Sequence, residues 1–358
     1  MDYASRQAAV RRKVEEAGAD WFFVTNLFNI RYLCGFSGSH AYLFVGRDRL
    51  VFITDGRYDQ QVRQEVKGCE VVIQGTRKDH EAATDALGDL SNARVLFESG
   101  HCTFSKFQQW QEKLPAKEYI GQDGIVESLR VVKDDDEIDA LRRALAVAEE
   151  AHLKSLGFLK EGITERELAH FLEDEMWKGG AEKESFDSLV LFGERSSLPH
   201  GKPSNRKLKK GDIVLTDFGC LLNGYCSDIT RTVCFGEPSD EVRSMYAAVL
   251  ESHLAAADAI QAGMTGKEAD LSSRRVIEAA GRKDQFIHGL GHGVGLEIHE
   301  SPRLSYIAEG VLQAGHVITI EPGVYAPEIG GIRLENMAVV REGGCEVLNQ
   351  TPIDLRVI

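Results

Sequence analysis

The chain has 358 residues, 43% of them hydrophobic and 27% charged, with a formal net charge of −14 at pH 7. That length and composition describe a globular protein with a sizeable core and room for two domains. The negative charge excludes a broad nucleic-acid surface and favours a cationic metal or an uncharged small substrate. Seven cysteines, odd in number and without a C-x-x-C pair, indicate neither a disulfide framework nor a thiolate zinc site, and they fit a reducing compartment. The N-terminal stretch is charged and amphipathic, and no run approaches the roughly 18 apolar residues of a membrane span. The expectation is a cytoplasmic protein with no membrane partner.

Residues 1 to about 125 alternate between two periodicities. Helical patterns over 6–17, 57–66, 78–90 and 104–114 interleave with strand patterns over 21–24, 41–45, 50–54, 70–73 and 94–97. Such alternation predicts an α/β layer with a largely parallel sheet. No Gly-x-Gly-x-x-Gly follows any of these strands, so a dinucleotide site is not expected. The charge run Lys133-Asp-Asp-Asp-Glu137 reads as the solvated start of a long helix over 137–158, since acids favour a helix N-terminus. It marks a boundary between an α/β domain at 1–126 and an α+β domain at 127–358.

The second domain repeats itself. Gly162-Ile-Thr164-Glu-Arg-Glu167 recurs as Gly263-Met-Thr265-Gly-Lys-Glu268, and each is a capping box that opens a helix. Each helix leads to a strand closed by a carboxylate: Gly211-Asp-Ile-Val-Leu-Thr-Asp217-Phe-Gly219 and Gly315-His-Val-Ile-Thr-Ile-Glu321-Pro-Gly323. A further strand in each copy carries a second acid, Asp228 or Glu335. The offsets between copies are 101, 104 and 107 residues at the capping threonines, strand glycines and second acids (265 − 164, 315 − 211, 335 − 228). A period this long is not a solenoid. Two halves about a pseudo-twofold axis would bring four carboxylates together, which is costly without a shared cation.

Asn223-Gly224 is a two-residue hairpin signal. Pairing Leu222 with Tyr225 puts Asp217 opposite Thr230 and Gly219 opposite Asp228, so the two acids become diagonal neighbours, roughly 7–8 Å apart at Cα. Arg333 and Glu335, two apart, are expected on one face of one strand, where the guanidinium is either a structural ion-pair partner or a group that orients the substrate. Between the strands, His288, His292 and His299 lie in a glycine-rich stretch that lets backbone crowd a site. Four acids and an imidazole suit two divalent ions with hard-to-borderline preferences, such as Mn²⁺, Co²⁺, Fe²⁺ or Zn²⁺. Such a pair can supply a bridging hydroxide and polarise a carbonyl, so the reaction class is metal-assisted hydrolysis.

Asp217, Asp228 in Ser-Asp-Ile-Thr-Arg-Thr, His292 in Gly-His-Gly-Val-Gly, Glu321 in Glu-Pro-Gly and Glu335 in Arg-Leu-Glu-Asn resemble the five metal ligands of the pita-bread metallopeptidases. Asn29-Ile-Arg-Tyr-Leu-Cys-Gly-Phe-Ser-Gly and Thr54-Asp-Gly-Arg-Tyr58 resemble the creatinase-type N-terminal domain of Xaa-Pro peptidases. The resemblance implies that His200 and His299 hydrogen-bond the scissile carbonyl or tetrahedral intermediate and assist proton transfer. It implies further that Glu321 is also the general base, that Arg333 supports the site and that His288 lines the substrate pocket. The implied partner is a small peptide with proline at its second position, and the implied assembly a homodimer.

The reading preferred from sequence is an aminopeptidase that cleaves the bond between an N-terminal residue and proline, with a strict Xaa-Pro dipeptidase as the alternative. A non-catalytic peptide-binding relative fits less well, because such proteins lose ligands and none is lost here. Asp217-Phe-Gly219 as a kinase magnesium motif lacks both the catalytic loop and the nucleotide loop it would need.

Overall fold

A computed structural model describes residues 1–358, which separate into two units, Met1–Arg130 and Val131–Ile358. The first unit begins with α1 (Tyr3–Glu16), β1 (Trp21–Val24), α2 (Leu27–Cys34), β2 (Tyr42–Gly46) and β3 (Leu50–Thr54). It continues through α3 (Asp59–Glu65), β4 (Glu70–Ile73), α4 (Asp79–Leu87) and β5 (Arg94–Phe97). It closes with α5 (Phe104–Lys113), β6 (Glu118–Gly121) and α6 (Glu127–Arg130). The six strands form one sheet in the order β4-β3-β2-β1-β5-β6.

That sheet is mixed where the alternation predicts a largely parallel one. The β1–β2 and β2–β3 pairs are antiparallel, and only β3–β4, β1–β5 and β5–β6 are parallel. The three residues between β2 and β3 are too few for a parallel crossover, so a hairpin is forced there. Aromatic side chains fill one face, with Phe23 stacked on Phe44 at 4.6 Å and tilted against Trp110 at the same distance.

Helix α6 closes the first unit because Asn29 holds both of its ends. Asn29 Nδ2 donates to Glu127 Oε1 at 2.6 Å, and Arg130 Nη1 donates to Asn29 Oδ1 at 2.8 Å. The first unit therefore runs to Arg130, a few residues past the 126/127 boundary read from the charge run.

The second unit opens with α7 (Asp135–Phe158) and α8 (Glu165–Lys178), then the strands β7 (Lys183–Glu184), β8 (Leu189–Phe192) and β9 (Asp212–Phe218). The hairpin β10 (Cys220–Leu222) and β11 (Tyr225–Cys226) precedes β12 (Ile229–Phe235). The second half has α9 (Asp240–Ala259), α10 (Gly266–Ala279), β13 (Gly291–Gly293), β14 (Glu300–Leu304) and β15 (Val317–Ile320). Another hairpin, β16 (Gly323–Ala326) and β17 (Gly330–Arg333), precedes β18 (Asn336–Arg341) and β19 (Gly344–Val347).

The internal repeat is present in detail. Sheets run β8-β9-β12 in the first half and β14-β13-β15-β18-β19 in the second, with β9–β12 and β15–β18 antiparallel. Thr164 and Thr265 cap α8 and α10, each accepting from the amide three residues on while that residue's glutamate returns to the cap. Each threonine also forms an isolated bridge to the approach of its strand, Thr164 with Lys207 and Thr265 with Val311. Gly211 and Gly315, at φ 89° and 92°, turn that approach into β9 and β15 through a backbone region open mainly to glycine. Together these elements are the duplicated architecture that the sequence resemblance implies, and they follow the α/β unit in the chain.

The charge run at the start of α7 departs from its solvated reading. Asp134, Asp135 and Asp136 are exposed as expected for a capped helix start, but Lys133 and Glu137 are buried. Tyr225 Oη donates to Glu137 Oε1 at 3.0 Å, and Lys133 pairs with Glu300.

Candidate active site

Asp217 lies near the end of β9 and pairs with Thr230 on β12, the register that the Asn-Gly turn predicts. The turn itself has φ 51° at Asn223 and 83° at Gly224, both positive as a type I′ turn demands, and Leu222 pairs with Tyr225. The strands leave the β9–β12 sheet on the way to that turn, because β10 and β11 join β7 instead. Asp228 is thus the last residue before β12, and Glu335 occupies the matching place before β18. The expected single strand through Arg333 and Glu335 is broken: β17 ends at Arg333, and Glu335 lies in the two-residue connection to β18. Both side chains still converge, because Thr230 Oγ1 donates to Glu335 Oε2 at 2.6 Å and accepts from Arg333 Nε at 3.1 Å.

His292 sits on β13, where backbone crowding demands glycine on either side. A Cβ on Gly291 would meet Thr319 O at 2.1 Å, and one on Gly293 would meet Ser301 O at the same distance. The imidazole Nε2 is 3.5 Å from both Asp228 Oδ2 and Glu321 Oε1. Its Nδ1, 3.0 Å from Gly293 O, donates there, which leaves Nε2 as a lone-pair donor facing the acids. Burial holds His292 neutral, with its pKa down at about 4.

Four carboxylates this close and this buried carry more negative charge than their surroundings offset. Burial pushes Glu321 up to about 7, with Asp217 adding repulsion against the opposing Arg333. Burial first, then the neighbouring acids, raises Asp228 and Glu335 well above the carboxylate range. Asp217 is raised less: burial dominates, and Arg333 Nη2, in direct contact with Asp217 Oδ2, works against it. The other oxygen, Asp217 Oδ1, is buried with no hydrogen-bond partner.

An orphaned carboxylate oxygen and acids lifted first by burial and then by one another's charge fit divalent cations. Ligand atoms of Asp228, His292 and Glu335 all lie within 4.8 Å of one another. Asp217 and Glu321 flank that cluster.

One cavity of about 900 Å³ is lined by all nine residues singled out from sequence: His200, Asp217, Asp228, His288, His292, His299, Glu321, Arg333 and Glu335. They are not equally available to a ligand. His200 and His299 are exposed, whereas both ring nitrogens of His288 are engaged. Its Nδ1 is 2.7 Å from Gly289 O and its Nε2 2.9 Å from Tyr325 Oη, which in turn accepts from Arg333 Nη1 at 3.0 Å. Arg333 is likewise consumed by Thr230, Tyr325 and Asp217, so it braces the acids from behind.

Sequence reasoning missed the residues that hold the ligands. Thr319 Oγ1 accepts from His292 N at 3.1 Å and donates to Glu321 Oε1 at 3.1 Å, tying two candidate ligands together. Thr230 does the same for Glu335 and Arg333. Both carried a signal: Thr230 is the predicted cross-strand partner of Asp217, and Thr319 is two residues before Glu321, hence on its face. Tyr325 carried none.

Residues 139–342 match the profile of metallopeptidase family M24. The chain belongs to that family. Residues 6–132 of this M24 chain match the creatinase/prolidase N-terminal domain. The Xaa-Pro dipeptidase of Bacillus anthracis superposes with a TM-score of 0.96 at 38% identity, over 100% of both chains. The Xaa-Pro dipeptidase of Pyrococcus furiosus is 37% identical over 344 residues, 96% of this M24 chain and 97% of its own. The X-Pro aminopeptidase of Thermotoga maritima superposes with a TM-score of 0.91 at 36% identity, over 97% of this chain and 100% of its own.

Proposed function

We propose that this M24 protein is an Xaa-Pro dipeptidase, in place of the aminopeptidase preferred from the N-terminal motifs. The observation that carries the reading is Arg303, on β14 opposite His292, which lines the cavity and forms no ion pair. Its positive charge helps depress both His292 and His299, so it stands close to the centre. A guanidinium there fits the free carboxylate of a C-terminal proline. A longer peptide puts an amide at that point and gains nothing from the charge. The similarity to two proteins named Xaa-Pro dipeptidase supports the same choice.

Asp217, Asp228, His292, Glu321 and Glu335 would hold two divalent ions, with Mn²⁺ the ion we favour. When bound, such ions polarise the scissile carbonyl and acidify water. Glu321, steadied by Thr319, accepts the proton of the attacking water on its free oxygen. His299 and His200 face the cavity and hydrogen-bond the developing oxyanion, and one of them delivers a proton to the leaving nitrogen. That delivery matters because a bond to proline is a tertiary amide without an N–H, and its ring nitrogen leaves poorly unless protonated. Arg333 keeps Asp217 charged and aimed. Seven free cysteines support a cytoplasmic setting, and a homodimer completes the proposal.

Rates on Ala-Pro, Ala-Pro-amide and Ala-Pro-Ala test the choice. The dipeptide is expected to be cleaved at least about tenfold faster than the other two, the worth of one charge-assisted contact. Arg303→Leu should raise KM for Ala-Pro by a similar factor and leave the amide unchanged. Equal kcat/KM on Ala-Pro-Ala would return the protein to the aminopeptidase class.

A further inference from the structure

Lys133 belongs to the charge run that reads as solvent-facing, yet its side chain is only 1% exposed and its Nζ lies 2.8 Å from Glu300 Oε2. Glu300 is 8% exposed and directly follows His299. Burying both charges is expensive, and a well-packed neutral pair would hold the fold as well. What an ion pair adds is direction, and here the direction bears on a segment that carries a substrate-facing histidine.

The segment from Gly295 to Glu300 is organised around the Glu300 carboxylate. Its Oε1 accepts from Glu297 N at 3.1 Å, while Lys133 holds Oε2. Gly295 packs against the same carboxylate so closely that a Cβ there would lie 2.7 Å from Oε2. Gly295 N donates to Glu297 O at 3.0 Å, and Gly295 O accepts from Cys226 N at 2.8 Å. Lys133 is itself anchored, its own N donating to Gly315 O at 2.9 Å, where β15 is approached.

His299 needs that anchoring because its ring makes no hydrogen bond to the protein. Beyond its backbone, the ring is steadied by an edge contact with His292, with centroids 4.5 Å apart at 71°. Its aim is therefore set by the segment on which it stands. We propose that Lys133 is a positioning residue for His299, acting through Glu300. The proposal rests on the reading of His299 as a proton-handling, substrate-facing group.

Three variants of the full chain, loaded with Mn²⁺, test this: Lys133→Met, Glu300→Gln and the two combined. Measured quantities are kcat and KM on Ala-Pro, Tm and Mn²⁺ affinity by calorimetry, and, in the same variants loaded instead with diamagnetic Zn²⁺, the ¹⁵N signals of the His299 ring. In Lys133→Met, kcat should fall ten- to a hundredfold with KM and Mn²⁺ affinity within twofold, and the His299 signals should broaden or split. Glu300→Gln keeps an acceptor for Glu297 N and should fall less. The combined variant removes the unpaired charge and should recover Tm without recovering kcat. A combined variant that regains both, or a folded Lys133→Met with wild-type kcat and sharp His299 signals, overturns the proposal. If Lys133→Met does not fold, the other two variants decide. Failure of the wild type on Ala-Pro would refute the assigned activity alone, since the His299 signals still report on positioning.

Discussion

The two halves of the second unit use the same scaffold for unequal tasks. Each contributes two carboxylates, one at the end of a strand and one just before its antiparallel partner. The halves meet at the centre, where Glu335 N donates to Thr230 O at 3.1 Å. The differences lie in what each half inserts between its paired strands. The first inserts a tight hairpin, whose Tyr225 turns away to Glu137. The second inserts β16 and β17, which return Tyr325 and Arg333 to the acids. His292 has its place on β13, whereas the matching strand of the first half, β8, supplies only apolar packing such as Val190 and Leu191. Duplication thus supplies the charge, and the asymmetric insertions supply the groups that steer it.

The comparison extends further back than the capping boxes. His152 on α7 and His253 on α9 are 101 residues apart (253 − 152), the same offset as Thr164 and Thr265. Both are buried behind the acids: His152 stacks on Phe218, and His253 Nε2 lies 3.0 Å from Asn336 Nδ2. Burial lowers their pKa values to about 3 and about 4, with Arg231 adding to both.

The largest expected effect tests whether the duplicated acids are equivalent. Asp228→Asn and Glu335→Gln should each lower kcat on Ala-Pro by about 10³-fold, near 4 kcal/mol of barrier, with metal stoichiometry reduced and the fold retained by circular dichroism. Losses that differ by more than tenfold would break the equivalence. The two ligand-bracing threonines sharpen it: Thr230→Val and Thr319→Val should each weaken Mn²⁺ binding by about 10–100-fold in a calorimetric titration. An unchanged affinity in one of them would show that half to be held by packing alone.

The smallest effect concerns the paired histidines. Each is neutral in the native state, while the unfolded chain takes up a proton below pH about 6.5. Stability is therefore intact above 6.5 and falls as pH drops toward 4. Each histidine accounts for about 2 kcal/mol of loss between pH 7 and 5. Urea unfolding at the two pH values should show that loss smaller by about 2 kcal/mol in His152→Phe and by the same amount in His253→Phe, if the halves contribute alike.

Much of this was legible in the sequence because it is local. A threonine followed three residues on by glutamate makes a capping box wherever it stands, and both did. Asn223-Gly224 set a turn, and from the turn the register of Asp217 against Thr230 followed by counting. Glu335 shows where counting stops: the chain leaves its strand at Leu334, so its convergence with Arg333 comes through Thr230, a residue 105 positions away. Lys133 shows the same limit. Three aspartates beside it justify a solvated reading, and only its partner 167 residues on reverses that.

By itself, then, the sequence determined the residue types of the candidate metal ligands, their duplication, and the turns and caps that place them, since each depends on neighbours within a few positions. Tertiary structure alone decided which oxygens meet, which histidines remain free to face a substrate and which arginine lacks a counter-ion. Those depend on pairs of groups brought together from distant parts of the chain, and in a buried site their charges are governed by that proximity.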